Sequence, residues 1–149
     1  MNFIGIDPGQ SGGIATVTDN GTAECWKMPD TERDTCDLLA SLFLGNISRV
    51  MIEAVHSMPK QGVASSFKFG RSLGFLRGLV IALKFPFEDV SPMKWQKTLG
   101  CLTKGDKNVS KRKAQELFPE LKITHATADA LLLAEYGRRT YLTEITDAP

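Results

Sequence analysis

The chain is poor in the residues that staple a fold or anchor it in a membrane. Its three cysteines, Cys25, Cys36 and Cys101, are odd in number, far apart and form no CxxC pair. That pattern argues against a disulfide framework and a cysteine zinc site, and a reducing cytosol fits it most simply. The longest apolar stretch, Leu73 to Leu83, is interrupted by Arg77 and is too short to span a bilayer. No basic start leads into an apolar core, so neither a signal peptide nor a membrane partner is expected. The sequence has no repeat, low-complexity segment or linker, and its 149 residues suffice for one domain with a sizeable core, expected over 1–149.

Acidic residues are missing from particular places. The net charge is only +1, yet residues 1–56 hold three Lys/Arg against eight Asp/Glu. Residues 57–87 hold five Lys/Arg and no acid, and Lys94 to Lys113 hold seven against Asp106 alone. One charge run is usually a solvated face. Two basic stretches in an otherwise acidic chain favour a polyanionic partner.

The stretch FIGIDPGQSGGIATV, Phe3 to Val17, reads as a strand, a tight turn and a second strand. Asp19-Asn20-Gly21 is a hairpin turn signal that leads into a third strand, about Thr22 to Lys27. A helix opens at Pro29-Asp30-Thr31, carries Leu38, Leu39, Leu42 and Phe43 at helical spacing, and stops at Gly45-Asn46. RVMIEA, Arg49 to Ala54, is a short apolar strand. After the polar loop HSMPKQG come a long helix from about Ala64 to Leu83 and a strand from Phe87 to Val90. Pro92 starts a short helix through Trp95, Val109 to Phe118 forms a basic helix, and Thr124 caps a last helix from about His125 to Tyr136. The order βββαβαβααα predicts an α/β fold: a five-stranded mixed sheet with helices on it.

Two acids end strands in this reading. Asp7 closes the first and Glu53 the fourth, and ligand sites of such sheets lie at the carboxyl ends of strands. If the two strands are neighbours, the carboxylates converge and repel unless a cation or a proton separates them. Mg2+ takes one or two carboxylates and completes its shell with water and phosphate. His125 and Asp129 are four apart, so they share a face near the start of the last helix. Taken singly, Asp129 reads as a partner of the helix dipole and His125 as a capping or surface residue. Taken with Asp7 and Glu53, they form a candidate cluster of three acids and a histidine.

IGIDPG, IEAV and HATADALLLAEYG occur here in the order and approximate spacing seen in RuvC-type Holliday junction resolvases. The chain resembles that family of the RNase H-like superfamily, in particular its small phage-encoded members, which share a segment like SPMKWQKTLG. The resemblance implies an RNase H-like fold and a crossover junction endodeoxyribonuclease of a bacterial or phage-infected cytoplasm. It implies catalytic, metal-binding roles for Asp7, Glu53 and Asp129, with His125 either binding metal or handling water protons. The cofactor implied is two Mg2+ per site, about 4 Å apart, with Mn2+ as substitute. It implies paired nicking of four-way and other branched DNA, leaving 5′-phosphate and 3′-hydroxyl ends. Gly9, Gly12 and Gly13 would keep side chains out of the way of a phosphate backbone.

The same resemblance places His56 where other members insert an aromatic wedge into the junction; a plain loop histidine is the alternative. Lys60 and Gln61 follow it as phosphate contacts, and Lys68, Arg71 and Arg77 would project from the long helix toward DNA. Lys104, Lys107, Lys111, Arg112 and Lys113, in TKGDKNVSKRK, are the best candidate phosphate surface. On the helix of about 64–84, Phe69, Leu73, Leu76, Val80 and Leu83 form a heptad-like stripe and Gly70, Gly74 and Gly78 a second one. The glycines mean either tight packing on the chain's own sheet or a homodimer interface, which the family uses to place two sites on opposing strands. Trp95 reads as core with its N–H bonded. Three alternatives stand beside the resolvase: another RNase H-like nuclease, such as a ribonuclease H or general debranching enzyme; a non-catalytic branched-DNA binder; and, from IGIDPGQSGG alone, the phosphate-binding hairpin of actin-like kinases, a fold that needs two such domains.

Overall fold

The computed structural model describes residues 1–42, 46–54 and 62–148, with the side chain of Ser48 excepted. The sequence readings for Phe43, Gly45, His56, Lys60 and Gln61 lie outside the described residues. The elements are β1 (Asn2–Asp7), β2 (Gly13–Thr18), β3 (Ala23–Lys27), α1 (Glu32–Leu42), β4 (Ile47–Glu53), α2 (Val63–Ala82), β5 (Phe87–Val90), α3 (Pro92–Leu99), α4 (Lys107–Leu117) and α5 (His125–Thr146). They form a five-stranded mixed sheet in the order β3-β2-β1-β4-β5. β1 pairs antiparallel with β2 and parallel with β4, so Asp7 and Glu53 end adjacent strands on the same edge. Among the described residues no helix is long and apolar enough to cross a membrane.

Strand alternation sorts the core into two layers. Ile4, Ile6, Ile14, Val50 and Ile52 face α1 and α2, where Leu39, Leu76 and Val80 meet them. Ala15, Val17 and Met51 face α5, packing with Leu131 and Leu132. Two residues from Gly5 and from Met51 respectively, Asp7 and Glu53 fall on the α5 side.

That side is lined with small residues because α5 comes very close. A Cβ at Gly5 would lie 2.0 Å from the carbonyl oxygen of Ala130, and one at Gly13 would lie 2.5 Å from that of Ala126. A Cβ at Gly12 would lie 2.0 Å from the carbonyl oxygen of Asp7. Gly12 and Gly13 are therefore required by the chain's own packing, which corrects the expectation that they clear room for DNA. α5 also runs ten residues beyond the expected end at Tyr136. Gly137, just past that expected end, is an interior packing position: a Cβ there would meet Met51 at 2.9 Å. Glu135, 3% exposed, ties α5 down through Arg138 at 2.7 Å and Arg139 at 2.6 Å. These two guanidiniums hold its pKa below the usual carboxylate value despite burial.

The caps follow local chemistry. Ser91 accepts from the backbone N–H of Lys94 at the start of α3, and Gly100 ends that helix at φ 68°. Asp106 accepts from the N–H of Asn108 and starts α4, two residues earlier than expected. The backbone N–H of Thr124 donates to Thr127 Oγ1 at 3.1 Å and fixes the first turn of α5.

On α2, Leu76 and Val80 are buried inward as expected. Among the described residues nothing lies within 4 Å of a Cβ built at Gly70, Gly74 or Gly78, and the described sheet residues do not pack on this stripe. The two kinds of glycine give opposite expectations. Gly5→Ala should cost about 3 kcal/mol or more through overpacking. Gly74→Ala should stabilise the isolated chain by about 0.5–1 kcal/mol through helix propensity. Urea denaturation of both variants checks this; a tolerated Gly5→Ala would contradict the α5–β1 packing.

Candidate active site

Three carboxylates meet where β1, β4 and α5 come together. Asp7 arrives on the last residue of β1, Glu53 on the last of β4, and Asp129 one turn into α5. The α5–β1 contact at Gly5 sets their register. Burial is the largest influence on Asp7 and, with Glu53 and Asp129 alongside, pushes its pKa up to about 8. Glu53 is raised by burial as well, partly offset by the Trp95 indole N–H, which donates to Glu53 Oε1 at 3.0 Å. Asp129 is raised by burial, with Ser110, Lys107 and His125 opposing. Its Oδ1 is buried without a hydrogen-bond partner among the described residues.

Such a site stores repulsion that a bound cation would relieve. The donors are hard oxygens on rigid strand and helix ends, and an orphaned carboxylate oxygen is among them, so the chemistry of the set suits a hard divalent cation. Among the described residues no three His, Cys, Asp or Glu side chains already converge on one metal position. His125 is the first residue of α5 and is exposed.

Trp95 is fully buried with its N–H bonded, as expected, and its partner proves to be an acid of the cluster. One further group escaped the sequence reading and another takes a different place from the one expected. Ser110 is buried on α4, donates to the Lys107 carbonyl at 3.2 Å and lies beside Asp129. Lys107, assigned above to a phosphate surface, lowers the pKa of all three acids, so its ammonium belongs to the cluster. The spacing of Ser110 and Ala114, the buried pair of α4, was the available signal.

The other cations divide into two groups. Those on α2 are held by acids: Arg71 by Glu32 at 3.0 Å, and Arg77 by Asp89 and over the Phe87 ring at 5.1 Å. Lys68 is exposed nearby. Lys104, Lys107 and Arg112 stand exposed around the start of α4 with Lys111 half-buried, while Lys113 pairs with Glu116 at 2.9 Å. The structure thus brings Asp7, Glu53, Asp129 and Lys107 together. Arg71 and Arg77 remain engaged with acids on the opposite layer.

This architecture is the RNase H-like fold in the form found in RuvC. RuvC of Thermus thermophilus in complex with a Holliday junction substrate superposes with a TM-score of 0.67 at 18% identity, over 95% of this chain and 96% of that one. A second Thermus thermophilus RuvC structure gives 0.66 at 18% identity, over 96% and 97%. No protein-family model and no curated protein sequence matches the chain.

The acid cluster makes the stability of the metal-free protein depend on pH. The folded chain keeps the Asp7 proton up to about 8, whereas an unfolded aspartate loses it near 3.8. Between those values unfolding releases a proton, so stability falls as pH rises. With divalent ions chelated at pH about 8, Asp7→Asn should be more stable than wild type by about 1–3 kcal/mol, and the gain should vanish near pH 4. Urea denaturation at both pH values measures it; a pH-independent difference would contradict the assignment.

Proposed function

We propose that this chain is a divalent-metal-dependent endonuclease that resolves Holliday junctions and other branched DNA by paired nicking, leaving 5′-phosphate and 3′-hydroxyl ends. The observation that carries the reading is the meeting of Asp7, Glu53 and Asp129 in a fold shared with RuvC over nearly its whole length. The three acids would hold Mg2+ or Mn2+. Divalent metal held by these acids would supply an activated water and charge neutralisation for the leaving oxygen in phosphodiester hydrolysis. The Trp95 N–H fixes the orientation of Glu53. Lys107, already drawn to the anionic cluster, would meet the phosphodiester that approaches it. At the start of α5, His125 would hold or pass a proton at the solvent edge. The cations around α4 would position the backbone by charge without reading sequence.

Cleavage of a four-way junction requires two sites facing two strands, and α2 offers the surface for pairing. Val63, Phe67 and Ile81 are exposed at 88%, 72% and 57%, and they continue the open stripe of Gly70, Gly74 and Gly78 at spacings of three and four. An apolar ridge with glycine notches suits close approach by a second copy of the same helix. Phe67→Asp should convert a dimer to monomer in analytical ultracentrifugation and should abolish coordinated cleavage of opposite strands. A variant as dimeric as wild type would remove this interface.

The function is tested with a synthetic four-way junction, a linear duplex and an RNA–DNA hybrid, each with Mg2+, comparing wild type and Asp7→Asn. Paired nicks on the junction, reduced by about a hundredfold or more in the variant, are expected. Cleavage of the hybrid alone would move the protein to ribonuclease H, and junction binding without cleavage in any divalent metal would leave a branched-DNA binder.

A further inference from the structure

A concave feature lies on the opposite layer of the sheet from the acid cluster. It is a pocket of about 460 Å3 between the β1–β2 turn, the start of α1 and the outer half of α2. The volume lies within the range of small-molecule sites, roughly 300–1,000 Å3. Gly9 and Gln10 form one wall, so the pocket begins two residues after Asp7, on the turn closed by the Gly12 N–H donating to the Gly9 carbonyl at 3.1 Å. Its floor is apolar: Met28 and Leu76 are buried and Phe75 is half-buried. The rim is polar and carries two cations, Lys68 and Arg71, facing two acids, Asp30 and Glu32.

An apolar floor, a hydrogen-bonding rim and cations among the charged groups of the mouth can serve the three parts of a nucleotide: base face, base edge and phosphate. Arg71 is clasped by Glu32 across the rim, but the two side chains are 67% and 52% exposed, and such a pair is worth little in water. An entering phosphate can take over the guanidinium, which leaves Glu32 to solvent. A branch point supplies the base cheaply, because nucleotides there are already partly unstacked.

We infer that this pocket receives one unstacked nucleobase of the cleaved strand, next to the phosphate held at the acids, and thereby places the cut. The inference rests on the nuclease reading above and makes the α1–α2 pocket, which the chemistry of the acids does not need, the element that selects the position. Ser72, half-buried on the pocket wall, is the position at which to fill it. Gln10, exposed at the mouth, gives a second variant that leaves the core untouched.

The test places 2-aminopurine at each position flanking the cleaved phosphate of a four-way junction. Its fluorescence is read on binding wild-type protein without divalent metal, and cleavage positions are then mapped with Mg2+. Wild type should raise the fluorescence several-fold at one position and cut preferentially beside it. Ser72→Trp and Gln10→Glu should lose that rise and weaken the positional preference by about tenfold or more, while still nicking the junction. Nicking with no fluorescence rise at any position, or with a preference unchanged in both variants, would overturn the pocket and keep the nuclease. A rise that both variants abolish, with no cleavage in any divalent metal, would keep the pocket and overturn the nuclease.

Discussion

The close approach of α5 to β1 at Gly5 is the constraint on which the rest of the molecule depends. No side chain larger than hydrogen fits between β1 and the Ala130 carbonyl. The contact brings two backbones together, and it sets the depth at which Asp129 meets Asp7. Gly13 repeats the device one strand over, against Ala126, and Gly137 repeats it against Met51. Three glycines let one long helix lie along the sheet from the acid cluster to its far end, where Tyr141 packs on Phe3 at 5.4 Å between ring centroids. Glu135, gripped by two arginines, locks the same helix in place.

What this packing builds is unfavourable in isolation. Three carboxylates share a poorly solvated corner, each with its pKa raised by burial, and one oxygen of Asp129 has no hydrogen-bond partner among the described residues. Such an arrangement subtracts from stability unless a proton or cation resides there. The partial remedies present are the Trp95 N–H, the Ser110 hydroxyl and the Lys107 ammonium, and they come from α3 and α4. Those short helices are thus part of the site and link its electrostatics to the basic surface around residues 104–113. The cations of α2 behave differently. Arg71 and Arg77 are engaged by Glu32 and Asp89, and the helix presents glycines and apolar side chains outward instead.

Much of this was legible in the sequence because it is local. Alternation, the Asp19-Asn20-Gly21 turn and the capping residues place the strands and most helix starts within two residues. Asp7 and Glu53 stand out because a charged residue at the end of an apolar strand breaks the pattern. Illegible features depend on what lies across the fold. Gly137 reads as lying past the end of its helix until Met51 is seen against it. Gly12 and Gly13 look like room for a ligand until the Asp7 and Ala126 carbonyls are placed. Whether Gly70, Gly74 and Gly78 faced the sheet or solvent was beyond spacing alone. Ser110 beside Asp129, and the partners of Arg71 and Arg77, are tertiary facts with almost no local trace.

On the proposed function, the buried acids would bind a divalent cation, and without it Asp7 keeps a proton. Calorimetric titration of Mn2+ near neutral pH, in two buffers of different ionisation enthalpy, counts the protons released on binding. The account predicts binding that releases close to one proton per chain, because Asp7 keeps its proton up to about 8 without metal. It also predicts that Asp7→Asn abolishes both the binding and the release. Mn2+ binding with no proton release, or binding unchanged in Asp7→Asn, would contradict it.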